Sequence, residues 1–221
     1  MLDRIIKAYN EAIYDTDRDQ ALRVVHDAVA AGVSPEDIVF RVVLPAMDLM
    51  VKAISQDNGA SLAQHYMTAQ IADAVTTEMV AKFRKAPEAA GRVVIGTAEG
   101  DLHTLGKRIV TGCLKARMIE VTDLGVNVPA ERFVDEAVAR SAPIIAISAM
   151  MVHTAKGERG CAGVRGLLRE RGLERSIKII VGGAPYRFDR DLFRTVGADG
   201  WADDGVTAGK VIADLIKEVK P

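Results

Sequence analysis

Apolar residues in the first part of the chain recur at helical spacing. The first predicted helix carries them at Leu2, Ile5, Ile6, Tyr9 and Ile13. After breaks near residues 15–17 and 32, the same periodicity predicts helices over about residues 21–31, 34–51 and 62–85. Four helices joined by short loops favour an antiparallel bundle over residues 1–88.

Capping and turn residues support these helix boundaries. Ser34 is suited to cap the third helix and Pro35 to occupy its first turn, whereas Pro45 predicts a kink further along. The sequence Asp57-Asn58-Gly59 is typical of a turn before the last helix. The N-terminal region is therefore predicted to be entirely helical.

From about residue 92 the pattern changes to short apolar runs that alternate with helical stretches. The predicted strands span residues 93–97, 118–123, 144–148, 178–181 and 200–202. The predicted helices span about 106–116, 130–140, 157–171, 189–196 and 206–219. Alternating strands and helices in units of about 30 residues predict a doubly wound parallel sheet, and five strands favour the order 2-1-3-4-5.

The two patterns together predict a chain of two domains. The fold class is all-α followed by α/β: a four-helix bundle cap over residues 1–88, then a flavodoxin-like or Rossmann-like five-stranded parallel sheet over residues 92–221. Residues 84–91 are the predicted linker, where charged residues give way to Ala, Pro and Gly.

Composition and charge exclude several function classes. The chain has 221 residues with 29 Lys and Arg against 30 Asp and Glu, so its net charge of -1 gives no electrostatic case for nucleic acid or an anionic membrane as main partner. No apolar run approaches the roughly 20 residues that span a bilayer, and the N-terminus lacks the pattern of a signal peptide. The distant Cys113 and Cys161 favour a reduced, cytoplasmic chain with neither a disulfide framework nor a zinc site.

Candidate metal chemistry lies directly after the first predicted strand. His103 follows that strand, at the edge where open α/β sheets bind their ligands. Asp101 can accept a hydrogen bond from one ring nitrogen and leave the other free for a metal. Because a single histidine makes one bond, the metal must arrive with most of its ligands, as in a metallated macrocycle.

Small residues follow two other predicted strands at the same edge. Ser148 ends the third strand, and Gly182-Gly183 follow the fourth. In the order 2-1-3-4-5 the chain reverses direction between strands 1 and 3, so these residues are predicted to line a crevice beside His103. Glycines there would let a ligand approach the backbone closely.

These motifs resemble the cobalamin-binding domain, such as the cobalamin-binding module of methionine synthase. The pattern is Asp-x-His-x-x-Gly at Asp101, His103 and Gly106, then Ser-x-aliphatic at 148–150, then Gly182-Gly183. The segment 123–131, Asp-Leu-Gly-Val-Asn-Val-Pro-Ala-Glu, and the helical region also resemble corrinoid methyl-carrier proteins. The resemblance covers essentially the whole chain, and the three motifs in this order are highly specific.

The resemblance implies which residues bind the cofactor and which binds the metal. Cobalamin would bind with its lower base displaced (base-off), and His103 would take its place as the cobalt ligand (His-on). Asp101 and Thr154 would extend a relay behind His103, and Ser148 would contact the cofactor's nucleotide tail. The full implied cofactor-binding set is Asp101, His103, Thr104, Gly106, Ser148, Met150, Thr154, Gly182 and Gly183. No residue is assigned a catalytic role of its own.

The implied function is that of a non-catalytic subunit in a multi-component, corrinoid-dependent methyltransferase. Cobalt would cycle between Co(I) and methylcobalamin, taking a methyl group from a small methylated donor through a substrate:corrinoid methyltransferase. A corrinoid:acceptor methyltransferase would pass it to tetrahydrofolate or a thiol, and a reductive activase is a further implied partner. About 130 residues of α/β structure cannot form a (β/α)8 barrel, which needs roughly 250, so substrate chemistry is assigned to the partners.

Other functions remain open at this point. A cobalamin-binding sensor or storage protein has the same site, although no residues are left for a DNA-binding module. The small subunit of an adenosylcobalamin mutase typically lacks a helical region like residues 1–88. A flavodoxin-like ligand-binding module is the remaining alternative, in which His103 would be a structural loop histidine held by Asp101.

Several residues depart from the family pattern or allow two interpretations. Thr104 stands where many relatives carry Asp, and His153 stands where small or hydroxyl residues are usual. His65 is interpreted as a partly buried bundle residue, with contact to the upper cobalt face as the alternative. Lys107 and Arg108 are interpreted as solvated charges rather than phosphate contacts.

Overall fold

The structure is a computed structural model that describes residues 1–55, 60–84 and 90–219. Contacts between residues divide the chain into two compact units. The first comprises Met1–Glu88 with Lys115–Met118, and the second comprises Ala89–Leu114 with Ile119–Pro221. The predicted turn at 57–59 and most of the predicted linker at 84–91 lie outside the described residues. No helix among the described residues is long and apolar enough to cross a membrane.

The first unit is helical. Its helices are α1 (Leu2–Tyr14), α2 (Arg18–Ala30), α3 (Pro35–Asp37), a π-helix (Ile38–Val43), α4 (Leu44–Ser55) and α5 (Leu62–Val80). Apolar side chains from these helices form its core, including Tyr9, Ile13, Val25, Ile38, Met47, Met50, Ile71 and Met79. The predicted helical N-terminal region is thus confirmed.

The third predicted helix forms without a break, but its turns are not all α-helical. Ser34 caps it as predicted, since its hydroxyl accepts a hydrogen bond from the Asp37 N–H at 3.1 Å. The π-helix then precedes Pro45, and the Leu44 N–H donates to the carbonyl of Val39, five residues back. Because Pro45 has no N–H to continue an α-helical ladder, the irregularity falls on the turn before it.

Helix α5 is shorter than predicted. It ends at Val80 instead of Lys85, because the N–H groups of Lys82 and Phe83 donate to carbonyls only three residues back and tighten the chain into a turn. Its start carries a capping box, in which the Ser61 hydroxyl accepts from the Gln64 N–H and the Gln64 side chain accepts from the Ser61 N–H.

Ser61→Ala is expected to lower the free energy of unfolding by about 1 kcal/mol, because the Gln64 N–H loses its acceptor. Urea denaturation of the cofactor-free protein measures the effect. Ser61→Thr keeps the capping oxygen and should stay within about 0.5 kcal/mol of wild type. Equal losses in both variants would contradict the assigned cap.

The second unit is a five-stranded parallel sheet with helices on both faces. Its strands are β1 (Gly91–Thr97), β2 (Ile119–Asp123), β3 (Ile144–Ser148), β4 (Lys178–Gly182) and β5 (Gly200–Ala202). Its helices are α6 (Leu105–Ala116), α7 (Ala130–Ala139), α8 (Val152–Lys156), α9 (Cys161–Glu170), α10 (Ala184–Phe188), α11 (Leu192–Thr195) and α12 (Gly205–Val219). The strand order β2-β1-β3-β4-β5 confirms the predicted fold class and order.

Each face of the sheet has its own apolar core. Side chains such as Val94, Ile145 and Val181 pack with α7 and α9 on one face, whereas their neighbours Ile95 and Ile144 pack with α12 on the other. Successive strand residues point to opposite faces, and both faces are covered. This explains why the strands read as nearly continuous apolar runs.

Three local predictions after residue 92 had wrong boundaries. The helix predicted over 157–171 begins later, at Cys161, as α9, because Gly157 and Gly160 lie against the carbonyls of His153 and Thr154 in a tight turn that follows the separate helix α8. Of the helix predicted over 189–196, only the shorter α11 forms, and the separate helix α10 precedes it. Met118, predicted in a strand, has φ 58° and belongs to a turn, so β2 begins one residue later.

Candidate functional site

Asp101 is the centre of a compact hydrogen-bond cluster after strand β1. Its side chain is fully buried, whereas the ring of His103 is 55% exposed. The His103 backbone N–H donates to Asp101 Oδ1 at 2.9 Å, and the His103 Nδ1 lies 2.8 Å from the same oxygen. The other oxygen, Oδ2, accepts from the Met150 N–H at 2.6 Å and lies 3.1 Å from the Thr154 hydroxyl.

This environment keeps the Asp101 carboxyl ionised. Burial is the largest single influence and raises its pKa, but the hydrogen bonds from His103, Met150 and Thr154 lower it, and the net pKa lies below its ordinary value. An ionised carboxylate can only accept hydrogen bonds. The proton between the two groups therefore belongs to Nδ1 of His103, which leaves Nε2 as the ring nitrogen that can offer a lone pair to a metal.

Thr154 links this cluster to helix α8. Its hydroxyl lies 3.1 Å from Asp101 Oδ2 and 2.8 Å from the Met151 carbonyl. Because a hydroxyl has one proton, it donates to one of these oxygens at a time. The side chains of His103, Asp101 and Thr154 thus form a continuous chain from an exposed ring to a hydroxyl that is 4% exposed.

Asp101→Asn is expected to lower the free energy of unfolding of the cofactor-free protein by about 1–3 kcal/mol near pH 7. The side chain of an asparagine at position 101 has one acceptor oxygen where the aspartate has two. Its NH2 group must therefore face the donors on one side, either those of His103 or those of Met150 and Thr154. Because the folded pKa of Asp101 is depressed, the carboxylate stabilises the protein above its unfolded pKa of about 3.9, and this contribution is lost as the pH falls through the folded value. The difference between variant and wild type should therefore shrink below about pH 4.

Urea denaturation between pH 3 and pH 7 measures this dependence. Asp214→Asn changes an aspartate that is 71% exposed on α12 and should stay within about 0.5 kcal/mol of wild type throughout. A constant Asp101→Asn effect across that range would contradict the ionised, hydrogen-bonded carboxylate.

The carboxyl ends of three strands lie side by side next to this cluster. Thr97 pairs with Ser148, and Ser148 pairs with Gly182, so β1, β3 and β4 end at the same level. The predicted crevice residues are therefore neighbours. Gly183 has φ 122°, and a Cβ there would lie 1.9 Å from the Ala149 carbonyl oxygen, so packing within the protein itself requires this glycine.

The loops around His103 expose apolar side chains. Leu102 is 68% exposed and Met150 is 48% exposed, and Leu105, Met151 and Val152 are exposed as well. All five come from the segments that follow β1 and β3. A Cβ added at the exposed Gly106 would meet nothing within 4 Å, so packing within the described structure does not require this glycine. This edge therefore offers an apolar surface of the kind that usually binds a partner or ligand.

The donor set at this edge suits a metal that brings its own ligands. Among the described residues there is no group of three or more His, Cys, Asp or Glu side chains that could hold a bare metal ion. His103 can supply one nitrogen, with Asp101 fixing its tautomer. The site fits a macrocyclic metal complex better than a free ion.

The structure brings together Asp101, His103, Met150 and Thr154, and it places Ser148, Gly182 and Gly183 at adjoining strand ends. Thr104 and Gly106 lie further along the chain, where the Thr104 carbonyl accepts from the Arg108 N–H at 3.0 Å in the first turn of α6. His153 is exposed and lines a cavity of about 360 Å³ beside Thr154. His65 is buried on α5, and the half-exposed His26 lies 2.9 Å from Glu78.

Sequence reasoning missed two residues that hold the site. Lys107 was interpreted as a solvated charge, but its side chain is 4% exposed and pairs with Asp123 at the end of β2. Asn127 accepts a hydrogen bond from the Gly100 N–H at 2.7 Å. Asn127 and Asp123 lie in the run 123–131, which was noted as part of the resemblance without a structural role, whereas Lys107 carried no distinguishing signal.

Comparison with protein families gives two matches along the chain. A B12 binding domain family matches residues 91–209, and a second B12 binding domain family matches residues 5–75. Together they cover both the helical unit and the sheet.

Individual relatives match over nearly their full length. The chain is 31% identical to trimethylamine corrinoid protein 1 of Methanosarcina acetivorans, covering 99% of this chain and 96% of the relative. It is 32% identical to the dimethylamine corrinoid protein of Methanosarcina barkeri, covering 97% of this chain and 98% of the relative.

Solved structures share the fold. The chain is similar to a chain of the methanol:cobalamin methyltransferase complex of Methanosarcina barkeri, with a TM-score of 0.75, 24% identity and coverage of 97% of this chain and 80% of that one. A cobalamin-binding protein of Desulfitobacterium hafniense gives a TM-score of 0.74 at 21% identity, covering 95% of this chain and 98% of that one.

Proposed function

The chain belongs to the B12-binding corrinoid proteins, and we propose that it binds its corrinoid through His103 and carries a methyl group between partner methyltransferases. The observation that carries this proposal is the exposed His103 ring, whose Nδ1 lies 2.8 Å from the buried Asp101 carboxylate. The bound corrinoid would supply a cobalt ion that alternates between Co(I) and a methylated Co(III) form.

His103 would be the residue that binds the cobalt of the corrinoid. Asp101 holds the proton on Nδ1, so Nε2 can donate its lone pair to a metal without first losing a proton. The buried carboxylate also raises the electron density of the ring. This arrangement supports a base-off, His-on mode of binding.

Thr154 and Met150 would set the strength of that ligand. The Met150 N–H donates to Asp101 Oδ2, and the Thr154 hydroxyl does so when its proton points there, so both disperse the carboxylate charge away from His103. A weaker carboxylate acceptor holds the imidazole proton less strongly and makes Nε2 a weaker donor. The two residues therefore tune the ligand without touching the metal.

The apolar side chains at this edge would cover a flat, apolar face of the cofactor. Leu102, Leu105 and Met150 are exposed now, and burying such groups provides about 25 cal/mol per Å² of apolar area. Gly106, which has open space where a Cβ would lie, lets a bulky ligand approach the start of α6. Thr104, Ser148, Gly182 and Gly183 complete the proposed cofactor-binding set.

The proposed donor class is a small methylated amine, because relatives 31–32% identical along the whole chain are trimethylamine and dimethylamine corrinoid proteins. The proposed partners are a methylamine:corrinoid methyltransferase, a methyltransferase for the acceptor and a reductive activase. We propose that the chain consists of a helical domain, residues 1–88, and a corrinoid-binding domain, residues 92–221.

Reconstitution tests the binding mode. The purified chain is incubated with hydroxocobalamin, desalted, partially reduced to Co(II), and examined by visible spectroscopy and electron paramagnetic resonance. We expect one retained cobalamin per chain, with superhyperfine coupling to one nitrogen from the protein. Retention without that nitrogen would overturn the His103 assignment, and no retention would overturn the proposed binding altogether.

A second experiment separates a carrier from a sensor or storage protein. The loaded protein is reduced and mixed with a methylamine:corrinoid methyltransferase and trimethylamine or dimethylamine. A carrier should become methylated in the presence of the enzyme and amine, as shown by its visible spectrum. Stoichiometric cobalamin that no methyltransferase of this class can methylate would instead favour storage or sensing.

A further inference from the structure

We propose that one loop, residues 123–128 between β2 and α7, positions His103 for metal coordination, with Asn127 and the Lys107–Asp123 ion pair as its positioning residues. This inference rests on the proposed function, since it concerns the same histidine. None of these three residues needs to touch the cofactor. They hold the chain on either side of His103.

The first contact lies before His103. The Asn127 side-chain oxygen accepts a hydrogen bond from the Gly100 N–H at 2.7 Å, and the Asn127 N–H lies 3.0 Å from the Asp101 carbonyl. The same N–H lies 2.9 Å from the Thr97 hydroxyl, which donates to the Asp101 carbonyl at 2.5 Å. Asn127 thus holds the backbone on which the Asp101 carboxylate depends.

The backbone conformation of this region favours asparagine. Asn127 has φ 53°, a left-handed conformation that asparagine tolerates better than most side chains. Gly100, its partner, has φ 85°. The segments around Gly100 and Asn127 both turn at the point where they meet. Their contact therefore belongs to these two turns and not to the hydrogen bonds of the sheet.

The second contact lies after His103. Lys107 is four residues further on, in the first turns of α6, and its ammonium group binds the Asp123 carboxylate. Asp123 Oδ1 also accepts from the Gly125 N–H at 2.8 Å, which fixes the start of the same loop. Only 4% of the Lys107 side chain is exposed, whereas 40% of Asp123 is exposed.

Lys107 is buried whereas Asp123 is partly exposed, and this difference gives the ion pair a positional role. A buried ammonium must stay with its partner, because an unpaired buried charge is strongly unfavourable. Separation from Asp123 would leave the Lys107 ammonium unpaired, and His103 lies four residues before Lys107 in the chain. Residues 123–128 therefore contact the chain on both sides of His103. Asn127 forms hydrogen bonds with Gly100 and Asp101 before it, and Asp123 binds Lys107 after it.

Four variants test this inference in the full chain loaded with hydroxocobalamin. Asn127→Gly keeps the left-handed backbone but loses the acceptor, and Lys107→Met keeps the apolar stem but loses the cation. Asn127→Asp keeps an acceptor oxygen and is the matched control. Lys52→Met, which removes an exposed lysine on α4, is the control for Lys107→Met.

The readout is the fraction of bound Co(II) cobalamin that shows coupling to a protein nitrogen, measured at saturating cofactor. We expect Asn127→Gly and Lys107→Met to lower the ratio of His-on to His-off cofactor about 10-fold, as loss of supporting partners does at other metal sites. Asn127→Asp and Lys52→Met should match wild type. A purely structural role would lower thermal stability and leave this ratio unchanged.

A measurement on the cofactor-free protein provides an independent check. Hydrogen exchange at the Gly100 amide should accelerate in Asn127→Gly and stay slow in Asn127→Asp. Unchanged nitrogen coupling in both Asn127→Gly and Lys107→Met would overturn the inference. Absence of nitrogen coupling in the wild type would instead overturn the proposed function, so the two failures are distinguishable.

Discussion

His103→Ala is expected to abolish the coupling between Co(II) and a protein nitrogen and to weaken cobalamin binding roughly 10–100-fold. The variant removes Nε2, the atom that the Asp101 contact leaves free for a metal. No other histidine lies within the hydrogen-bond cluster around Asp101 as the structure describes it.

The fold should survive this substitution. The His103 side chain is 55% exposed, so its loss leaves no cavity in either core. The backbone N–H of residue 103 still donates to Asp101 Oδ1, and Met150 and Thr154 still bond the other oxygen. We expect the free energy of unfolding of the cofactor-free protein to change by less than about 1 kcal/mol.

Electron paramagnetic resonance and equilibrium dialysis of the reconstituted variant measure these two effects. His26→Ala is the matched control, since His26 is 52% exposed on α2 of the helical unit. It should retain both the nitrogen coupling and the affinity of wild type. A His103→Ala protein with an unchanged nitrogen signal would refute the ligand assignment.

Gly183→Ala is expected to lower the free energy of unfolding by about 4 kcal/mol or more, or to prevent recovery of folded protein. The added Cβ would lie 1.9 Å from the Ala149 carbonyl oxygen and 2.8 Å from its carbon. The backbone cannot easily move aside, because the Ala149 N–H donates to the Gly182 carbonyl at 3.0 Å. The positive φ of 122° adds strain for any residue with a side chain.

Two other glycines provide graded controls for the same substitution. A Cβ at Gly182 would lie 3.2 Å from the Ala202 carbonyl oxygen, so Gly182→Ala should cost about 1–3 kcal/mol. Gly166 lies inside α9 with nothing within 4 Å of the added Cβ, so Gly166→Ala should stabilise the protein by about 0.5–1 kcal/mol. Urea denaturation of the cofactor-free proteins measures the series, and a Gly183→Ala protein as stable as Gly166→Ala would contradict the packing.

This result would assign separate reasons to glycines of two different motifs. Gly183 is required by contact with the backbone after β3, whereas Gly106 has open space where a side chain would lie. From the sequence, Gly182 and Gly183 were expected to leave room for a ligand. For Gly183, packing within the protein already accounts for the glycine.

The sequence by itself determined the architecture. The strand β3 and the short β5 have the predicted bounds, because buried parallel strands read as short apolar runs between turn residues. The strand order followed from five strands that alternate with helices, a pattern that favours the order 2-1-3-4-5. The same local signals also identified Asp101 and His103 as a pair, since they are two residues apart.

Helix boundaries near glycines were less predictable. Gly157 and Gly160 occur in an amphipathic stretch, and a single period cannot show that the chain turns between two short helices. Their close approach to carbonyls of α8 depends on the three-dimensional path of the chain. Propensity alone also could not choose a π-helix before Pro45.

The resemblance implied the relay from His103 through Asp101 to Thr154, and the tertiary structure decided the other contacts around the histidine. The Met150 N–H and the Thr154 hydroxyl reach Asp101 from 49 and 53 residues away, and Asn127 reaches Gly100 from 27 residues away. Lys107 looks like any solvated lysine in a helix until β2 brings Asp123 against it. Periodicity reports which side of an element is buried, but contacts between loops depend on the register of the strands that carry them, and only folding fixes that register.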